Sequence, residues 1–173
     1  MAFRDSLETG KVGESLIAKW LLRRGNAVLP VYEIAENQFK GPSLYSADGR
    51  FIAPDMAVLR GGGFIWVEAK HKSAFTWHRI SQQFVTGIDR SHYHAYIEVA
   101  KITQAQVWLF FLHRDGTAKD TPVGLISPTG LFCGEIQYLS KHINHEHPSW
   151  GRSGMVYWAA KTLRLIAPLD EVC

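Results

Sequence analysis

APDMAVLRGGGFIWVEAKH, residues 53–71, reads as two short apolar strands joined by a glycine turn, yet Asp55, Glu68 and Lys70 lie inside the strands. Gly61-Gly-Gly63 supplies the positive φ values that a tight hairpin turn needs. With Gly61 and Gly62 as the turn residues, Arg60 faces Gly63, and the same register carried down the strands sets Asp55 across from Glu68. Like charges paired across strands are destabilising unless a cation lies between them. Two hard carboxylates suit Mg²⁺, with Mn²⁺ as its substitute. Glu68 and Lys70, two apart on one strand, share a face; Ala69 between them points away and offers its backbone carbonyl as a further ligand. An ammonium at Lys70 can orient or help deprotonate an attacking water and offset charge on a phosphorane-like transition state. The plainer reading of Glu-x-Lys is a salt bridge closing an ordinary hairpin, and the surrounding sequence argues against it.

Upstream, Asp5-Ser-Leu-Glu8 forms a capping box and Gly25 follows Leu21-Leu-Arg-Arg24, which predicts a first helix over 6–24. At about 100° per residue, Leu7, Ile17, Ala18, Trp20, Leu21 and Leu22 fall on one apolar face, with Glu14 near its middle and pointing inward. Residues 27–32 predict a strand that Pro30 confines to a sheet edge, followed by a long connection over 36–49. Residues 51–59 and 64–70 are the hairpin strands. Downstream, 71–90 has no clean period, with a short helical turn expected at 80–85. Residues 91–103 predict a helix with Tyr93, Tyr96, Ile97 and Ala100 on one side, and 107–112 a fully buried strand. Apolar pieces at 123–127, 131–139 and 155–166 extend the sheet.

Pro54-Asp55, the Glu68-Ala69-Lys70 run and the helix-strand order around them resemble the PD-(D/E)xK nuclease superfamily, over roughly residues 5–112. The resemblance implies an α/β fold with a restriction endonuclease-like core: a central four-stranded mixed sheet flanked by helices in the order αβββαβ, followed here by a β-rich C-terminal extension over about 113–173. It implies that Asp55 and Glu68 are metal ligands, that Lys70 is the catalytic lysine, and that Glu14 is the first-helix acid many members add to the site. Gly10-Lys-Val-Gly-Glu14 through Leu21 and Gly25 is similar to the first helix of Holliday junction resolvase-like members. The implied activity is Mg²⁺-dependent hydrolysis of DNA phosphodiester bonds by a structure-specific endonuclease. The alternatives are a sequence-specific restriction-type enzyme and a nucleic-acid-binding module of the same fold that does not cleave. A homodimer cutting two strands fits either enzyme.

His71, Lys72, His78, Arg79 and Gln83 follow the catalytic strand, where groups that bind phosphates or bases would be useful, and they are the candidate DNA contacts. His142, His145 and His147, with Cys133 upstream, are zinc-ligand types at poor spacing and read as a polar loop. Tyr93 and Tyr96 read as packing residues. The 173 residues, 46% hydrophobic and 20% charged, suffice for one domain with a proper core. A net charge of +3 mildly favours a polyanionic partner. No apolar run is long enough to cross a bilayer, Arg4, Asp5 and Glu8 stand where a signal peptide would be apolar, and two cysteines make no disulfide framework, so the reading is cytoplasmic with no membrane partner.

Overall fold

The computed structural model describes residues 3–31, 42–117 and 120–173. Tyr32, the first part of the 36–49 connection and the side chains of the capping box and Leu7 lie outside what is described. Helix α1 (Phe3–Arg23) begins earlier than the capping box predicts and ends where Gly25, at φ 80°, takes the left-handed conformation that closes a helix without a Cβ clash. Strand β1 (Ala27–Pro30) follows, then β2 (Ser43–Ser46), β3 (Gly49–Ile52), β4 (Met56–Arg60), β5 (Gly63–Lys72), β6 (Thr76–His78) and β7 (Gln83–Asp89). Helix α2 (Arg90–Thr103) leads to β8 (Val107–His113), β9 (Gly130–Glu135), α3 (Ile136–Ser140), β10 (His145–His147) and β11 (Met155–Ala159). A 3₁₀ turn (Ala160–Thr162), β12 (Arg164–Ala167) and α4 (Leu169–Val172) complete the order.

The main sheet has six strands, in the order β1-β4-β5-β8-β9-β12, with β9 and β12 of the C-terminal region extending it beyond the expected four. It is mixed, with β5 and β8 parallel and the other neighbours antiparallel. β1 is an edge strand, as Pro30 demands, and Pro30 pairs with Met56. A second sheet, β10-β11-β7-β6, and the β2-β3 ribbon stand apart from it.

Residues 51–59 are not one strand. Pro54 has no N–H to give a ladder, and the chain leaves β3 at Ile52 to enter another sheet at Met56. Nor is 80–85 helical: it spans the turn of the β6-β7 hairpin, where Gln82 takes φ 49°. Of the C-terminal pieces, 123–127 forms no strand, 131–139 divides into β9 and α3, and 155–166 divides between the second sheet and the main one.

Strand alternation gives the main sheet two buried faces. On one, Ile17, Trp20 and Leu21 of α1 pack on Met56, Val58, Val67, Ala69, Phe110 and Leu112. On the other, Tyr93, Tyr96, Val99 and Ala100 of α2 pack with Val107, Leu109, Phe111 and, from the second sheet, Ile88, Val156 and Trp158. Because Val67 and Ala69 face α1, the residues between and beyond them, Glu68 and Lys70, face α2.

Candidate active site

Gly61 and Gly62 take φ 59° and 84°, as a two-residue hairpin turn requires, and Arg60 pairs with Gly63. The β4-β5 ladder keeps the predicted register and ends at Met56–Val67, one pair short of Asp55 and Glu68. Where the main-chain rungs stop, the Asp55 side chain makes the next one: the Ala69 N–H donates to Asp55 Oδ2 at 2.8 Å. The Asp55 carbonyl accepts the Val31 N–H at 2.9 Å, so the residue is held from both sides.

Glu68 is 1% exposed. Its Oε1 is ion-paired with Lys70 Nζ, and its Oε2 has no hydrogen bond of ordinary geometry. Burial acts to lower the Lys70 ammonium, but the nearby charges of Glu68, Asp55 and Glu14 outweigh it and hold the lysine above its usual range. From α2, the buried Tyr96 hydroxyl lies 3.4 Å from His92 Nδ1 and feels the Glu68 charge. Burial, then Glu68 and Asp55, raise Tyr96 and keep it a protonated donor, while burial and Lys70 lower His92.

Glu14 reaches this neighbourhood because α1 approaches β5 closely at Gly13. A Cβ on Gly13 would lie 2.4 Å from His71 Cβ, so only glycine permits the contact. The half-buried Glu14 carboxyl is raised by desolvation and by Glu68, with Lys70 opposing.

These donors fit a divalent cation. Desolvation and Glu68 push Asp55 up to about 8, and Glu68 keeps an unpaired buried oxygen. Among the described residues no group of three His, Cys, Asp or Glu side chains is placed to hold a metal ion together, so Glu14 feels Glu68 without joining it and Asp55 in one cluster.

A pH prediction follows from Asp55. Its pKa rises from an ordinary 3.8 to about 8 on folding, so its contribution is fully favourable below pH 4 and is lost as pH rises toward 8. Thermal unfolding in chelator should therefore show stability falling across that window, and Asp55→Asn should flatten the fall. Glu14, raised in the same direction, leaves part of the slope in place. Equal slopes for the two proteins would contradict this environment for Asp55.

The other predicted residues separate. Lys72 shares the face of Glu68 and Lys70 and feels Lys70 directly. His71 turns to the α1 side, against Gly13. His78, Arg79 and Gln83 belong to the β6-β7 hairpin, and Gln83 lies at the opposite end of β7 from Asp89, about 20 Å away along the strand. There His78 stacks on His145 at 3.8 Å and Arg79 pairs with Asp120 at 3.2 Å. The zinc types do not converge: Cys133 is buried in the α1-side core, His142 stacks on Tyr138 and His147 on Trp150.

Tyr96 packs in the α2-side core as expected, and the sequence did not single out His92 or Asp89, whose charges reach the groups around Glu68 and Lys70. The i, i+4 spacing of His92 and Tyr96 on one helix face was a usable signal. Asp89 gave none. It is held by the Arg152 N–H at 3.0 Å, across 63 residues of sequence, and Gly151 at φ 68° makes room for it, since a Cβ there would lie 2.3 Å from Asp89 Oδ1.

No protein-family model matches the sequence, and no curated protein matches it. Among solved structures, the chain is similar to the Holliday junction resolvase Hjc of Archaeoglobus fulgidus, with a TM-score of 0.50 and 10% identity over 88% of this chain and 90% of that one. A nuclease from a fusselovirus aligns at a TM-score of 0.38 and 14% identity over 97% of this chain and 86% of that one. The first likeness is one of fold. Among the described residues no helix is long and apolar enough to cross a membrane.

Proposed function

We propose that this chain is a metal-dependent DNA nuclease, a structure-specific endonuclease of the Holliday junction resolvase-like kind, with Pro54-Asp55 and Glu68-Ala69-Lys70 as its PD-(D/E)xK signature. One observation carries the reading: the half-buried Asp55 and the buried Glu68 are joined through neighbouring backbone at the end of the β4-β5 ladder, with the Lys70 ammonium on Glu68. The chain order α1, β1, β4, β5, α2, β8 within the larger sheet supports the αβββαβ core. DNA is the proposed substrate and the cytoplasm the proposed location, and a homodimer would supply two such sites for paired cuts.

Asp55, Glu68 and the Ala69 carbonyl would hold Mg²⁺ or Mn²⁺, with Glu14 acting on it from beyond the ligands; when bound the ion supplies Lewis-acid polarisation of a phosphoryl oxygen and charge neutralisation. The chain's own residues do the rest. Lys70 remains an ammonium under the charges around it, so its part is to orient the attacking water and offset charge growing on the phosphoryl oxygens. Tyr96, held protonated by burial and by Glu68, keeps a neutral hydroxyl on the α2 side of the site. The Ala69 N–H fixes one oxygen of Asp55 and leaves the other for a ligand.

The test is cleavage in Mg²⁺ of linear, single-stranded, flapped and four-way DNA of matched sequence. Preferential cutting of the four-way junction supports the reading; cutting of a linear duplex at one fixed sequence would favour the restriction-type alternative. Glu14→Gln is expected to weaken Mg²⁺ binding and activity together, by about tenfold or more. Calorimetric Mg²⁺ affinity and a cleavage rate that both stay at wild-type values would remove Glu14 from the site.

A further inference from the structure

β5 carries a third charged side chain on the face of Glu68 and Lys70. Lys72 follows Lys70 by two residues, so its stem runs beside that ammonium. Its neighbour across the parallel ladder is His113, fully buried and stacked on Phe75 at 3.6 Å. Burial, then Lys72 itself, push His113 down to about 3, so it brings no compensating charge.

Glu68 is paired with Lys70, Asp89 Oδ1 accepts the Arg152 N–H, and among the described residues no carboxylate forms an ion pair with Lys72. Burial and Lys70 both push the Lys72 ammonium toward its neutral form, down to about 8, with Asp89 only partly opposing. Lys72 is half-buried, and an unpaired cation beside a like charge costs folding free energy that an anion from outside relieves.

On the nuclease reading, on which this inference rests, that anion is a DNA phosphate. We propose that Lys72 binds the backbone phosphate next to the scissile one and so fixes the register of the strand across Asp55, Glu68 and Lys70. The contact gives affinity and alignment, and carries no base information.

The test uses the full chain with a labelled four-way junction and a linear duplex, bound in Ca²⁺ to prevent turnover, over a range of salt concentrations. Lys72→Met, which keeps the stem and removes the charge, should weaken binding to both DNAs about tenfold and lower the salt slope by about 1. It should also raise the Tm of the DNA-free protein by a few degrees, about 2–4 °C. Lys72→Arg should keep the salt slope. A Met variant with wild-type affinity and slope overturns the proposal, as does a fall in Tm with the slope unchanged, which makes Lys72 an ordinary structural residue. Wild-type protein that neither binds nor cuts DNA overturns the nuclease reading itself, a result distinct from any difference between the variants.

Discussion

Asp55→Asn is expected to abolish DNA cleavage in Mg²⁺ while raising the Tm of the metal-free protein at neutral pH. The amide oxygen can still accept the Ala69 N–H, so the local fold survives. What disappears is one of two negative charges that a cation would hold together, and with it a rate contribution of about 10²-fold or more. The stability gain has a separate cause: desolvation and Glu68 oppose ionisation of Asp55, and Asn has nothing to ionise. Glu68→Gln should abolish cleavage as well, but with the opposite effect on stability. Glu68 is buried and paired with Lys70, and its loss strands an ammonium without its nearest counter-ion. Single-turnover rates and thermal melts of the two variants check both signs. Normal turnover by either variant would refute the site assignment.

Lys70→Ala should cut the rate by about 10²-fold or more, because an ammonium that orients water acts on the transition state more than on the bound ground state. DNA binding in Ca²⁺ should fall only as the loss of one cation predicts. Lys70→Arg should not restore the full rate. Its guanidinium is charged but planar and wide, and the space beside Glu68 Oε1 holds a compact head group. If Lys70→Ala abolishes binding while DNA bound at high protein concentration is cut at the normal rate, Lys70 is a binding residue and the proposed mechanism fails.

The hairpin and its register were legible because a glycine turn fixes strand parity, and parity decides which side chains stand opposite. α2 was legible through its periodicity, β8 through a short unbroken apolar run, and the edge position of β1 through the missing N–H of Pro30. What escaped depends on distant partners. Phe51 and Ile52 have the composition of the following strand but pair with Leu44 and Ser43 in another ribbon, and β6-β7 owes its existence to β11, some seventy residues on. In the site, Asp55, Glu68 and Lys70 come from one contiguous stretch and could be read together, whereas the closure of Arg152 over Asp89 and the approach of Tyr96 to Glu68 are tertiary. Gly13 looked like one more helical glycine until His71 was found beneath it.

The central claim is that Asp55 and Glu68 together make DNA hydrolysis depend on a divalent cation. The most direct measurement is the initial rate of cleavage of a labelled four-way junction as Mg²⁺ is titrated from chelator-treated protein, with Asp55→Asn in parallel. The account predicts no cleavage without the ion, a saturable rise in the wild type and no rise in the variant. Cleavage that persists in chelator, or that rises equally in both proteins, would contradict it.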